Sequence, residues 1–371
     1  MSTLNIAGDF YVNPKFLDKF TNEKIDAKLI DLFEKADYNI VNLEAPIIRK
    51  KTPIPKTGPN LGMSKRGLKV LKSLNIDAVS LANNHILDHG AEGLNNTFQS
   101  LKENNIQFFG AGENYEEASR AFIKLIDGMK IGILNMAENE WSNTHGKMPG
   151  ASPLDIMDNT RAVQQLKPKV DHLLVIVHGG SELHRYPTPR FKKMLRYFVD
   201  QGADAVIGHH THCYNGFEYY RHKPILFSTG NFIFPRQNAG PDWTTGVIAS
   251  LRLKKNQNIE LQTLPISLNV EAAKKLSLLE GKAFDEFRAE EKRKNKIIAD
   301  DQKLEEVYDA FFEKAKKQYI HYLQPFSSRY LHKVFSLGII PDFLKTPRKK
   351  RLYLNLIRCE SHRDMLLKLL K

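Results

Sequence analysis

The chain has 371 residues and a formal net charge of +13, with 42% hydrophobic and 26% charged residues, a composition that should fold into a globular protein. No apolar run approaches the roughly 18 residues of a membrane-spanning helix, and the N-terminus shows neither the basic nor the apolar region of a signal peptide. The two cysteines, Cys213 and Cys359, lie far apart and cannot make a disulfide framework, so we expect a reducing, cytoplasmic location.

Short apolar runs alternate with helix-like segments up to about residue 268. The predicted strands, in chain order, are the runs LNIA, YNIVNL, DAVSLA, KIGILNM, HLLVIV and ADAVIG. Amphipathic segments at 64–74, 91–103 and 188–201 predict helices between several of them. Continuous apolar runs indicate strands that are buried on both faces. The pattern therefore predicts a layered α/β fold in which helices flank β-sheets.

The end of this region and the rest of the chain differ in character. The runs KPILFSTGNFIF, TGVIASLRLKK and IELQTLPISL alternate more like antiparallel strands. After residue 269 the sequence is rich in helix-forming residues, with apolar residues at spacings of three and four. We therefore predict one domain over residues 1–270 and a basic helical extension over residues 271–371.

Polar side chains follow five of the predicted strands. At the carboxyl ends of parallel strands such groups meet at one edge of a sheet, where α/β proteins bind ligands. Each group alone would be interpreted as a turn or helix-cap residue, but together they predict a binding site. They are Asp9, Glu44, Asn84, His85, His178 and the run HHTH at 209–212.

The chemistry of these groups indicates a metal site. Carboxylate, amide and imidazole ligands without thiolates suit manganese, iron, zinc or magnesium. A carboxylate can bridge two ions, which then clamp a phosphoryl group from both sides. His210 and His212 alternate along the chain and should point to the same side, whereas His209 should point away.

The chain closely resembles the CapA capsule-synthesis family, which is similar to a branch of the calcineurin-like metallophosphoesterases. The motifs that carry the resemblance occur in order: GD at 8–9, NLEAP at 42–46, SLANNHILDHGAEGL at 80–94, HGGSELHRYPTP at 178–189 and GADAVIGHHTHCYNGFEYYRHKPILFSTGNFIF at 202–234. The resemblance covers residues 4 to about 236 and implies the layered calcineurin-like fold. Residues 271–371 lie outside it.

The resemblance also implies roles for single residues. It places His85 beside the substrate, where it would protonate a leaving oxygen or stabilise charge. The chain departs from the wider superfamily at Tyr11, where His is usual, and at Glu44, where Asp is usual. One divalent ion and an asymmetric pair of ions therefore both remain open. The implied metal ligands are Asp9, Glu44, Asn84, His178, His210 and His212.

Three more residues are candidates for contacts to the substrate or to the ligands. Glu182 resembles a recurrent family glutamate, but it could equally form a structural salt bridge. Asp88 follows His85 closely and would support it or cap the next helix, and Asn231 occupies a β-turn position that could line the site. Lys56 and Arg49 lie in a basic loop after a ligand strand and could meet an anion, although a solvated loop is the favoured interpretation.

The function implied by the resemblance is that of a metal-dependent phosphoester-type hydrolase or transferase in capsule biosynthesis. Its substrate would be anionic or phosphorylated, and its product would contribute to poly-γ-glutamate or polysaccharide capsule. The alternative is a scaffold without catalytic activity that binds metal and polymer in a complex of membrane-associated capsule-synthesis proteins.

The basic excess is concentrated near the C-terminus, where residues 321–371 hold 11 Lys and Arg against three Asp and Glu. Such a segment could attract anionic lipid, a polyanion or nucleic acid. Its strongest cluster, TPRKKRLYLNLIR at 346–358, suits either a surface-lying amphipathic segment or a packed helix. Nucleic acid is disfavoured because no aromatic-interleaved motif occurs. We therefore expect a cytoplasmic protein that associates peripherally with the inner membrane face.

Overall fold

The structure is a computed structural model that describes residues 1–20, 22–56, 58–269, 275–322, 329–339 and 346–358. Its strands are β1 (Ser2–Phe10), β2 (Tyr38–Leu43), β3 (Ala78–Ser80), β4 (Gln107–Phe109), β5 (Ala111–Gly112), β6 (Phe122–Ile126), β7 (Met129–Ala137), β8 (Gly150–Ala151), β9 (His172–His178), β10 (Ala205–His209), β11 (Phe217–Tyr220), β12 (Lys223–Leu226), β13 (Asn231–Ile233), β14 (Thr245–Leu253), β15 (Glu260–Asn269) and β16 (Lys275–Leu278).

The helices are α1 (Pro14–Leu17), α2 (Ala27–Glu34), α3 (Leu68–Ser73), α4 (Gly90–Glu103), α5 (Tyr115–Ala118), α6 (Ile156–Leu166), α7 (Pro189–Gln201), α8 (Pro241–Thr244), α9 (Gly281–Ala299), α10 (Asp301–Tyr322), α11 (Arg329–Ser336) and α12 (Pro347–Arg358). Short 3₁₀ turns occur at Asn22–Lys24, Lys65–Gly67 and Lys167–Lys169. The helices predicted at 64–74, 91–103 and 188–201 correspond to a 3₁₀ turn followed by α3, to α4 and to α7. The local signals for α7 are clear: Thr188 Oγ1 accepts from Phe191 N, and Gly202 ends the helix at φ +124°.

Two sheets carry the predicted strands. The first has the order β16-β15-β14-β1-β2-β3-β4, with β13 beside β1. Strands β1 to β4 run parallel in it, whereas β14, β15 and β16 are antiparallel to their neighbours. The second has the order β11-β12-β10-β9-β7-β6, and its central pairings are parallel. Strands β5 and β8 form a separate small ribbon.

Apolar side chains form three hydrophobic cores. One core lies between the sheets and joins residues such as Ile6 and Ile40 of the first sheet to Ile176 and Ile207 of the second. A second core covers the other face of the first sheet with helices α2, α3 and α4, and a third covers the second sheet with α6 and α7. The predicted layered α/β fold, with helices flanking β-sheets, is confirmed.

The antiparallel prediction for the last strands holds only in part. Strands β14 and β15 are antiparallel as expected. Strand β12, however, pairs parallel with β10, and β13 pairs parallel with β1. The run KPILFSTGNFIF is therefore not one strand, because the chain leaves the second sheet after Leu226 and enters the first at Asn231. Alternation reports which face of a strand is buried, and it does not report the direction of its neighbour.

The chain divides into two compact units, Met1–Glu305 and Glu306–Lys371. In the first unit β16 pairs with β15, and helix α9 buries Glu291, Lys294 and Ile298. The second unit contains all but the first five residues of α10, together with α11 and α12. The domain boundary near residue 270 stays a prediction, and that residue itself lies outside the described ranges. Among the described helices, none has the length and apolarity needed to cross a membrane.

Candidate metal centre

The candidate ligands lie at the carboxyl ends of strands from both sheets. Asp9 is near the end of β1 and Glu44 follows β2, whereas His178 ends β9 and His210 follows β10. The sequence predicted a single sheet edge, but the structure brings two edges together. The backbone N–H of His210 donates to Asp9 Oδ2 at 3.2 Å, which links the two sheets at this point.

The ligand atoms form two groups that share one carboxylate. Glu44, His178 and His210 make the first group, and Asp9, Glu44 and His212 make the second. Within each group the ligand atoms lie within 4.8 Å of one another. Glu44 Oε1 is 3.6 Å from His178 Nε2 and 3.7 Å from His212 Nε2. A carboxylate in this position is suited to bridge two ions.

Glu44 provides the test of whether this donor set fits a cation. Its side chain is fully buried, and neither carboxylate oxygen has a hydrogen-bond partner among the described residues. A buried carboxylate without partners is strongly unfavourable unless a positive charge compensates it. The surrounding carboxylate and imidazole donors are also those that manganese, iron or zinc accept. The residues present therefore fit a divalent metal.

Asn84 lies beside the first group, and its role as a metal ligand stays a prediction. Its Oδ1 atom is 3.1 Å from His178 Nε2, and its Nδ2 atom donates to Glu140 Oε2 at 3.4 Å. Glu140 Oε1 lies 3.7 Å from His210 Nε2. Sequence reasoning missed Glu140, because it follows strand β7 in a run of polar residues that carries no motif.

Asn42 is a second residue that sequence reasoning missed. It is buried within β2, and its Nδ2 atom donates to Asp9 Oδ1 at 2.7 Å and lies 3.2 Å from His178 Nδ1. It therefore contacts a candidate ligand from each sheet. An asparagine inside the apolar run YNIVNL was the available signal, since a buried amide needs hydrogen-bonding partners.

His210 and His212 reach the site through a strained loop. Their φ angles are +94° and +55°, which non-glycine residues seldom adopt. Strand-like alternation is therefore not what brings them together. His212 Nδ1 lies 2.9 Å from Asn231 Oδ1, an arrangement that leaves Nε2 directed toward Glu44.

His209 is also close to the ligands, and the prediction that it points away is wrong. Its ring is fully buried, with Nδ1 at 2.8 Å from Thr229 Oγ1 and 3.6 Å from Asp9 Oδ1. It belongs to neither ligand group. Through its hydrogen bond to Thr229, His209 ties the end of β10 to the chain segment before β13, next to the candidate ligands.

Burial shifts the pKa values of the candidate ligands in the direction that favours their neutral forms. Desolvation raises the pKa of Asp9 to about 7, and it raises that of Glu44 well above the usual value with help from the negative charge of Asp9. Desolvation also lowers the pKa of His178 well below 6.5, that of His210 to about 3 and that of His212 to about 4. The imidazoles are therefore neutral, which is the form that binds metals.

His85 is held by Asp88 next to the centre. Its Nδ1 atom lies 2.6 Å from Asp88 Oδ2, and the same carboxylate oxygen accepts from Leu61 N at 2.6 Å. Asp88 therefore contacts His85, and its supporting role stays a prediction, whereas the helix-cap alternative is wrong because His89 occupies the cap position of α4. Lys56 forms a buried ion pair with Asp88 and lies 3.2 Å from His85 Nδ1. The solvated-loop interpretation is consequently wrong for Lys56.

The remaining candidates differ in their environment. Asn231 is buried, contacts His212 as described, and donates from Nδ2 to Trp243 O at 2.9 Å. Glu182 is exposed, but it is near enough for its charge to raise the pKa of Glu44. Arg49 donates to Gln99 at an exposed position, as expected for a solvated loop.

Comparison with known sequences identifies similar proteins. The family described as "Bacterial capsule synthesis protein PGA_cap" matches residues 3–236. The capsule biosynthesis protein CapA of Bacillus anthracis is 24% identical, over 72% of this chain and 67% of that protein. The PGA biosynthesis protein CapA of Bacillus subtilis is 27% identical over 71% of both chains. A probable polyglutamine synthesis accessory protein of Mycobacterium tuberculosis is 28% identical, over 55% of this chain and 57% of that protein.

Solved structures that align with the chain include two from Thermus thermophilus. A hypothetical protein aligns with a TM-score of 0.46 and 17% identity, over 71% of this chain and 99% of that one. A 5'-nucleotidase precursor aligns with a TM-score of 0.42 and 13% identity, over 85% of this chain and 59% of that one.

Proposed function

Because the chain belongs to the bacterial capsule synthesis protein family, we propose that it is a metal-dependent phosphoester-type hydrolase or transferase that serves capsule biosynthesis. The observation that carries the proposal is the position of Glu44 in two ligand groups at once, buried and with both oxygens unpartnered among the described residues. The names of the two Bacillus relatives support the capsule role, and that of the B. subtilis protein supports poly-γ-glutamate as the polymer.

Six residues would hold the metal. Divalent cations bound there would act as Lewis acids toward a phosphoryl group and lower the pKa of water. Manganese, iron, zinc and magnesium all remain candidates for this donor set. The residues are Asp9, Glu44, Asn84, His178, His210 and His212.

His85 would act on the leaving group. With its Nδ1–H donated to Asp88, the Nε2 atom is the ring nitrogen left for a substrate oxygen. Lys56 offsets the charge of Asp88 and so holds the carboxylate, and through it the ring, in one orientation. These two neighbours limit the movement of the imidazole before a substrate arrives.

A non-catalytic role is the second candidate. The mycobacterial relative is named an accessory protein, which favours a scaffold that binds metal and polymer next to capsule-synthesis proteins. Both roles need the metal, but only the first needs turnover.

The test is a panel of phosphomonoesters and phosphodiesters assayed with the full chain after loading with Mn²⁺, together with measurement of bound metal. We expect turnover by the wild type, and loss of both metal and turnover in Glu44→Gln. Glu103→Gln, which changes an exposed glutamate paired with Lys65, should alter neither. Bound metal without turnover of any ester would contradict the enzyme and support the scaffold.

A further inference from the structure

A cavity of about 480 Å³ lies next to the candidate metal centre. Its lining includes Leu183, Arg236, Asp242 and Trp243. Small-molecule sites are typically of this size and combine apolar walls with a few polar groups.

Trp243 connects the cavity to the centre. Its ring lies 4.6 Å from the His212 ring, measured between centroids, and its carbonyl accepts from Asn231 Nδ2 at 2.9 Å. Its indole N–H donates to Phe234 O at 2.7 Å, which fixes the ring in the wall. The indole therefore lies between the cavity and His212, a candidate metal ligand.

Arg236 gives the cavity a positive charge. Its guanidinium carbon lies 4.7 Å from the Trp243 ring centroid, a stacking distance that holds the side chain over the ring. The other charged lining residue, Asp242, is already paired with Arg185 at 3.0 Å. Among the residues that the structure describes, no carboxylate lies within 4.0 Å of Arg236. Its donors therefore remain available to a ligand.

We propose that this cavity is a substrate subsite in which Arg236 binds an anionic group of the substrate, a carboxylate or a phosphate. This group would be the neighbour, along the substrate, of the group held at the metal centre. A guanidinium can donate two parallel hydrogen bonds to either anion. The carbon skeleton beside the anion would pack on Trp243 and on Leu183, an apolar side chain that is 52% exposed. Because the subsite would serve the substrate of the metal centre, the assignment rests on the proposed function and narrows its substrates to those with a second acidic group.

Trp243 is itself the reporter for a binding test. The chain has two tryptophans, so Trp141→Phe leaves Trp243 as the single tryptophan fluorophore. The full chain carrying this change is titrated in buffer with Mg²⁺. The probes are a γ-linked triglutamate peptide, its analogue with every carboxylate converted to carboxamide, glycerol 3-phosphate, and glycerol. The first pair tests a carboxylate as the anion and the second pair tests a phosphate.

We expect at least one anionic probe to change the fluorescence saturably, with its neutral counterpart binding more weakly. Adding Arg236→Ala should weaken that binding about 10-fold, the effect of losing a charge-assisted hydrogen bond. Arg236→Lys should recover it only in part, since lysine lacks the planar pair of donors. Arg252→Ala, a change at an exposed arginine near the far end of β14, should leave the affinity unchanged.

Equal binding of the neutral probes, an unchanged affinity in Arg236→Ala, or no binding of either anion to the wild type would each overturn the subsite. The readout needs no turnover. A protein that binds the probe through Arg236 but hydrolyses no ester would contradict the proposed catalysis and leave the subsite standing. Hydrolysis by the wild type, without any effect of Arg236→Ala on binding, would contradict the subsite and leave the proposed catalysis standing.

Discussion

His85 is the side chain on which the proposed chemistry depends most directly, because it is the one placed to act on a leaving oxygen. Replacing it with alanine should lower turnover about 10²- to 10⁴-fold, the usual contribution of a general acid. Bound metal should stay at the wild-type level, which elemental analysis of the purified variant measures. His145→Ala, at an exposed histidine, is the matched control and should change neither quantity. Loss of metal together with activity would instead make His85 a ligand.

Lys56 and Asp88 form the ion pair behind His85, and their side chains are only 3% and 0% exposed. Lys56→Met should lower the free energy of unfolding by about 3 kcal/mol, because Asp88 is left charged and buried without its cation. Denaturant unfolding measures the change. The double variant Lys56→Met/Asp88→Asn should recover part of the loss, since no buried charge is then uncompensated.

The control for this prediction is Lys65→Met, which removes a cation whose partner Glu103 is exposed to solvent. Water solvates that carboxylate when its partner is lost, so this variant should lose far less stability. Equal losses at the two lysines would show that the burial of Asp88 has no energetic consequence.

Residues that end a strand could be predicted from the sequence, whereas their neighbours could not. Asp9 and His178 stand out because a polar group follows an apolar run. Lys56 gives no such signal, since a lysine in a basic loop has the same appearance whether its ammonium group meets water or a buried aspartate. Only the return of the loop onto the turn after β3 decides between them, and that is a tertiary contact.

At the scale of elements, the site depends on how closely neighbouring backbones approach. Gly8 precedes Asp9 in β1, and a Cβ atom placed there would lie 1.9 Å from the carbonyl oxygen of Gly230, which precedes β13. Neither backbone can give way cheaply, because β1 is paired on both sides. The glycine therefore allows β13 to lie beside β1 and Asn231 to reach the site.

Gly8→Ala should consequently destabilise the protein by about 1–3 kcal/mol or more, the range for overpacked interiors. It should also weaken metal binding, because Asp9 moves with the strand. Thermal unfolding and metal titration measure the two effects. Gly240→Ala is the matched control, since that position has φ −73° and open space around its Cβ, and its stability should stay within about 0.5 kcal/mol. An unchanged melting temperature in Gly8→Ala would contradict the close approach.

Sheet membership is the property of the elements that could not be predicted from the sequence. Strands β2 and β9 were predicted from their apolar runs, yet nothing in YNIVNL or HLLVIV indicates that they enter different sheets. Parallel strands that are buried on both faces have the same composition in either sheet. The sequence predicted a single edge, but the structure has two, and Asn42 contacts a candidate ligand from each.

At the scale of the whole molecule, the distribution of charge sets apart the C-terminal residues. Helix α12 carries four consecutive basic residues followed by Leu352 and Leu354, which are 54% and 55% exposed. Basic and apolar side chains together suit the surface of an anionic bilayer.

We therefore expect the full chain to sediment with vesicles that contain phosphatidylglycerol at low salt, and to leave them as the salt concentration rises. Each basic residue near an anionic surface contributes about 1 kcal/mol, within a Debye length of about 8 Å. Changing Arg348, Lys349, Lys350 and Arg351 together to glutamine should weaken binding by at least about 10-fold, even if only half of them face the lipid. The control is the same change at four exposed lysines of the first unit, Lys19, Lys69, Lys102 and Lys147, which alters the net charge equally. Equal losses of vesicle binding in the two variants would show that binding depends on net charge alone and not on α12. If the wild type does not bind, the proposed role of α12 at membranes is contradicted.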